Sequence, residues 1–260
     1  MVRMDWRIGL QNRAPAGTVD RQLSADRQAS PCLACSARDS NLCGALMEER
    51  RLADWGQVRL DHEFARARQT IYRRGERSED MIVICEGWAF RFMQLADGRR
   101  QILSILLTGD HVTALAPFQE SFNFSVQALT DVRFCRISRE GVKARLAQQP
   151  RLIAELAEFL IVEKKDADEQ LFDLGKRMAD ERIAGLILRL MDRLDLRGEI
   201  HDQSFPFPLR QQHIADITGL TPVHVSRVIG GFRKRGLFEI TGGVVTMRNL
   251  PGLRRVAGLA

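Results

Sequence analysis

The 260-residue sequence contains no run of about 18 apolar residues, so no segment reads as a membrane span. Its opening, MVRMDWRIGLQNRAPAGTVDRQ, has no apolar stretch of the secretory type, which excludes a signal peptide and points to the cytoplasm. Cysteine is scarce and odd in number: there are five, a poor basis for a disulfide framework, and cytoplasmic thiols stay reduced in any case. There is no H-E-x-x-H pair, no glycine-rich phosphate loop and only five scattered histidines, so an enzyme is not expected.

What is present is an ordinary globular mixture, 45% hydrophobic and 28% charged, long enough for one large domain or two medium ones. The net charge of +6 is unevenly placed. Between Arg210 and Arg235 there are five Lys or Arg residues against one acid, Asp216, which puts +4 of the excess into 26 residues. A solvated helix face would account for such a run; so would a nucleic-acid partner.

Residues 1–29 lack periodicity and read as a mobile tail. From Gly56 to Ile137 short β-rich runs (TIYRRGE, MIVICEGWAFRFM, QILSILL) alternate with turn signals, and Asp97-Gly98 is a hairpin cue. Such spacing suggests a sandwich or barrel. The period then changes. After Pro150, Leu152, Leu156, Phe159, Leu160, Leu171 and Leu174 form a helical stripe, interrupted by the charged run Glu163–Glu169. A helix of that length suits marginal pairing with a second copy of the chain, or packing within its own chain. A second amphipathic helix, ADERIAGLILRLMDRL, follows.

The segment QQHIADITGLTPVHVSRVIGGFRKRG carries the strongest pattern. It predicts a short helix burying Ile214, Ala215 and Ile217, a tight turn at Gly219, and a second helix opened by Thr221-Pro222. Val225, Val228, Ile229 and Phe232 would be buried, leaving Val223, Ser226, Arg227, Gly230 and Lys234 outside. This is a helix-turn-helix, and LFEITGGVVTM adds a winged hairpin. Arg227 suits bidentate donation to guanine, and Ser226 a base edge or phosphate. His224, Lys234 and Arg235 suit phosphates. Val223 offers only apolar contact, for example to a thymine methyl.

PCLACSARDSNLCG places Cys32, Cys35 and Cys43 in a C-x2-C-x7-C spacing. By residue type alone these thiols could hold zinc, switch by oxidation or belong to a thiol or metal enzyme with an appended DNA-binding module. The order of a β domain, a long helix and a winged helix-turn-helix resembles the CRP/FNR superfamily of transcription regulators. LTGDHV, MADERIAGLI and GLTPVHVSRVIGGFRKRGL carry the likeness over residues 30–250.

The resemblance implies an α+β fold: a β-roll (jelly-roll-like) sensor domain with the cysteine segment over 30–148, a dimerisation helix over 149–178, and a winged helix-turn-helix over 179–260. The triplet resembles that of FNR-type members, and FSVQALTDVRFCRIS looks like their stretch around a fourth ligand. That implies a [4Fe-4S] cluster on Cys32, Cys35, Cys43 and Cys135, sensing oxygen or nitric oxide and controlling dimerisation. Cys85 is left as a buried small hydrophobe. The implied partners are an inverted-repeat duplex DNA, a second copy of the chain and RNA polymerase, with no membrane. No cyclic nucleotide is expected, because GDHVTALAPFQESFNFSVQA lacks the glutamate and the Arg-Ser or Arg-Thr pair of members that bind it. Val223 departs from the glutamate usual in FNR-type recognition helices.

Overall fold

A computed structural model describes residues 60–258. The expected tail over 1–29 and the three clustered cysteines, Cys32, Cys35 and Cys43, lie outside the described residues. The architecture is α+β, with the β domain preceding the helix-turn-helix as the sequence led us to expect.

Two antiparallel sheets face each other in the β domain. One has β1 (Leu60–Ala65), β7 (Val132–Ser138) and β3 (Asp80–Glu86) in that order. The other has β2 (Thr70–Tyr72), β6 (Ser125–Ala128), β4 (Ala89–Gln94) and β5 (Arg100–Leu106). The β4–β5 hairpin turns at Gly98, whose φ of 89° is glycine territory. At the β3–β4 turn Gly87 is required for a second reason: a Cβ there would come within 2.2 Å of the Asp131 carbonyl oxygen.

Between the sheets lies a core that includes Tyr72, Ile82, Ile84, Val126 and Phe134. It is closed by α1 (Arg139–Gln148) and by the start of α2 (Arg151–Lys176), which contribute Val142, Leu146, Leu152 and Leu156. A second core is built by α3 (Ala179–Asp195), α4 (Gln211–Thr218), α5 (Pro222–Lys234) and α6 (Leu250–Val256), with a small sheet of β8 (Ser204–Pro206), β10 (Val244–Met247) and β9 (Phe238–Thr241). The β domain enters this core too, through Trp88, Phe90, Phe92, Ile102, Ile105 and Leu107. Strand β4 therefore buries both faces, Ala89 toward the first core and Phe90 and Phe92 toward the second. That explains why MIVICEGWAFRFM reads as one apolar run rather than an alternating one.

Polar contacts fasten the same junction. Arg193 of α3 and Arg197, just past its end, both pair with Asp110, which follows β5. Arg100 of β5 directs two N–H groups at Asp216 Oδ2 in α4, at 2.8 and 2.6 Å, and lies over the rings of Phe90 and Phe92. At the α2–α3 joint, Asp173, 3% exposed, forms ion pairs with Arg177 at 2.9 Å and Arg189 at 2.7 Å.

The helical stripe needs a correction. Leu152 and Leu156 are buried in the first core, with Phe159 and Leu160 packed against it. Leu174 lies over Gly219, its Cδ2 3.0 Å from where a β-carbon would stand. Of the six residues assigned to pairing, Leu171 alone is largely exposed, so most of the stripe is covered by the chain's own domains. The apolar residues α2 leaves outside are Ile153, Ile161, Val162, Leu171 and Phe172. Helical periodicity marks an apolar face but does not say what covers it. Among the described residues no helix is long and apolar enough to cross a membrane.

Because Phe90 belongs to a core shared by both domains, Phe90→Ala should cost about 3–5 kcal/mol. It should also separate a single thermal transition into two, the loss appearing in calorimetry as a helix-turn-helix domain melting ahead of the β domain.

Candidate nucleic-acid interface

Helix α4 ends where Gly219 enters the left-handed region, φ 67°, and its N–H donates to the Ala215 carbonyl. Leu220 turns in against the core. The Thr221 hydroxyl then accepts from the His224 N–H at 3.3 Å, with Pro222 in the first turn, and α5 begins. Val225 and Phe232 are buried, with Val228 and Ile229 packed against the same core. On the other side His224, Ser226, Arg227, Lys234 and Arg235 are exposed, and Val223 is 70% exposed. An exposed valine at the start of a helix that is otherwise cationic is available for contact. The hairpin β9–β10 turns through Gly242 and Gly243, both at positive φ, and stands beside α5 as a wing.

The one acid in the basic stretch, Asp216, does not offset this surface. It is 9% exposed, held by Arg100 and by Gln212 Nε2 at 2.7 Å. Arg227, Arg233, Lys234 and Arg235 are thus left as solvent-facing cations on the recognition side. Duplex DNA, with a phosphate charge about every 1.7 Å along its axis, is the chemistry such a face complements.

His213, on α4, was not singled out in the sequence. Its Nδ1 accepts the Arg210 N–H at 3.1 Å, supplying an acceptor to the start of the helix, and its ring lies 5.7 Å from that of Phe90. Burial, then the Arg100 guanidinium, push its pKa below the ordinary value near 6.5. Also missed was a cluster under α2: Arg91, His111, Thr113 and Glu163. A lone arginine within WAFRFM, at an inward position of the strand, was the available signal.

Of the four thiols assigned to a cluster, Cys135 alone lies within the described residues. It is on β7, 4% exposed and unpaired, with His62 of β1 on one side of it and Val83 of β3 on the other. Cys85 is equally buried, on β3. The strand order separates them. β7 borders β1, the first strand of the described residues, on one side and β3 on the other. Among the described residues no group of three or more His, Cys, Asp or Glu is placed to hold a metal.

This arrangement matches known domains. Residues 62–149 match a cyclic nucleotide-binding domain, and residues 181–256 a Crp-like helix-turn-helix domain. The nitrogen fixation regulation protein FixK of Bradyrhizobium diazoefficiens is 28% identical over 83% of this chain and 89% of its own length. The transcriptional activator protein FnrA of Stutzerimonas stutzeri is 29% identical over 91% and 96%. The structure of FixK2 from Bradyrhizobium japonicum superposes with a TM-score of 0.70 at 23% identity, covering 76% of this chain and 97% of that one. A cyclic nucleotide-binding-type β domain followed by a Crp-like helix-turn-helix is the domain order of this chain. In the identity and order of its two domains the chain is similar to regulators of the CRP/FNR type.

Neutral His213 is the form that accepts from Arg210. A base whose folded pKa is lowered contributes stability present above its unfolded value of about 6.5 and lost as pH falls below it. Between pH 7.5 and 5.5 the thermal midpoint of the wild type should therefore fall further than that of His213→Gln, as followed by circular dichroism.

Proposed function

We propose that the chain is an oxygen- or nitric oxide-responsive regulator that reads an inverted-repeat operator as a dimer, its sensor a [4Fe-4S] cluster on Cys32, Cys35, Cys43 and Cys135. The observation that carries the cluster reading is the place of Cys135, on the strand bordering β1. Cys43 is 17 residues before Leu60, the first residue of β1, a length of chain that can span about 55 Å when extended. The upstream thiols are therefore within reach of Cys135. The donor set also fits in chemistry: four thiolates supply one ligand per iron. When bound, such a cluster supplies an oxidant-sensitive centre. The chain's own part is to bring thiols from two segments together, so that loss of the centre unties the cysteine segment from β7.

Relatives named as transcriptional activator and nitrogen fixation regulation protein support the regulatory half of this reading. Contact with RNA polymerase follows from the same likeness. No cyclic nucleotide is proposed as the effector: residues 109–128 carry neither the glutamate nor the Arg-Ser or Arg-Thr pair of members that bind it. On the DNA side, Arg227 reads a guanine in each half-site, Ser226 a base edge or phosphate, and His224, Lys234 and Arg235 the backbone. Val223 leaves unread the cytosine that a glutamate would recognise. Pairing of two copies uses the outward residues of α2, Ile153, Ile161, Val162, Leu171 and Phe172.

Protein purified without air should contain about four iron and four sulfide per chain. Serine at Cys32, Cys35, Cys43 or Cys135 should abolish the brown chromophore, and Cys85→Ser should keep it. One zinc per chain, or a colourless Cys85→Ser protein that folds normally, contradicts the assignment.

The DNA contacts separate by sequence dependence. Arg227→Ala should cost about 1–3 kcal/mol per half-site and relax one base position. Lys234→Ala and Arg235→Ala should weaken all duplexes alike and reduce the salt slope, measured by anisotropy over a salt series.

A further inference from the structure

The charged run Glu163–Glu169 in α2 reads from sequence as a solvated interruption, yet its first member points inward. One Glu163 carboxylate oxygen accepts from the Arg91 guanidinium. The other accepts from the Ala114 N–H at 2.8 Å and the Thr113 hydroxyl at 3.3 Å. A guanidinium, a hydroxyl and a backbone amide converging on one group are the donor set of an oxyanion site. Arg91 is also oriented without help from Glu163. Its Nε donates to Ser104 Oγ at 2.7 Å, its Nη1 to the Val112 carbonyl at 2.9 Å, and it lies over the Phe124 ring.

Side-chain exposure is 16% for Arg91 and 25% for Glu163, so the pair is largely out of water. We infer that Arg91, Thr113 and the Ala114 N–H form a carboxylate-binding site of the β domain whose occupant is the chain's own Glu163. This internal ligand fastens the middle of the long helix to the sensor domain.

Position gives the contact its consequence. Before it, α2 is anchored by Leu152, Leu156, Phe159 and Leu160; after it, by Gln170, whose Nε2 donates to the Ile102 carbonyl at 2.8 Å. Glu163 is the fastening between these two anchors. With it seated, Ile161 and Val162 face outward. Occupancy of the site therefore sets which face the helix offers to a second copy. The inference is independent of the cluster reading, since none of these residues is a thiol or borders one.

Glu163→Ala should leave a carboxylate-sized hole with its three donors in place, and formate is the probe that fits it. Hydrogen–deuterium exchange over residues 157–170 should be roughly tenfold to hundredfold faster in this variant than in the wild type. Sodium formate, against sodium chloride at equal ionic strength, should restore protection saturably. The wild type and the Arg91→Met/Glu163→Ala double variant should show no formate response. A Glu163→Ala protein that folds only with formate supports the site equally. Glu163→Gln, which keeps the volume without the charge, should exchange faster in the same segment. Wild-type protection in Glu163→Gln, or a formate effect equal in the double variant, overturns the inference.

Discussion

The rest of the structure depends on a strand that has no solvent face. β4 places Ala89 in the core of the β domain and Phe90 and Phe92 in the core of the DNA-binding domain. Two apolar cores that share a strand are neighbours that cannot separate without exposing aromatic surface, at about 25 cal/mol per Å². Polar groups at the same boundary fix the orientation: Arg100 on Asp216, and Arg193 and Arg197 on Asp110. Ionic contacts of this kind specify register more than they add stability. The recognition helix is therefore presented by a platform that includes the sensor domain, and not by a module on a free hinge.

That platform connects the strand of Cys135 to the recognition helix through packed elements. β1 is hydrogen-bonded to β7, and β7 leads through α1 into α2. α2 is held against the β domain by leucines at its start and by the partly buried Glu163 carboxylate at its middle. A change at Cys135 thus lies one short helix, α1, away in sequence from the helix that carries the outward apolar residues. Two arrangements of such packed elements can differ by only a few kcal/mol, which a bound group can supply.

Much of the molecule was legible in the sequence, for local reasons. The helix-turn-helix is written in turn chemistry: Gly219 at positive φ, the Thr221 cap and Pro222 each act within one turn of where they stand. The Asp97-Gly98 hairpin and the α+β order were readable in the same way. Contacts made across long separations were not. Glu163 looked solvated because its partner, Arg91, lies 72 residues earlier. Leu152 and Leu156 looked like a pairing seam because a helical stripe does not name its cover. Asp216 looked like a partial offset to the basic run, when its charge is met by Arg100 of β5.

The central claim is that DNA recognition by α5 is governed by an oxidant-sensitive centre on thiols from the cysteine segment and β7. Its most direct measurement is the affinity for one inverted-repeat operator, taken with anaerobic protein and again with the same preparation after exposure to air. The account predicts tight binding without air and a large loss after exposure, with non-specific binding changed little. Equal affinity in both states, for a preparation that binds the operator specifically, would contradict it.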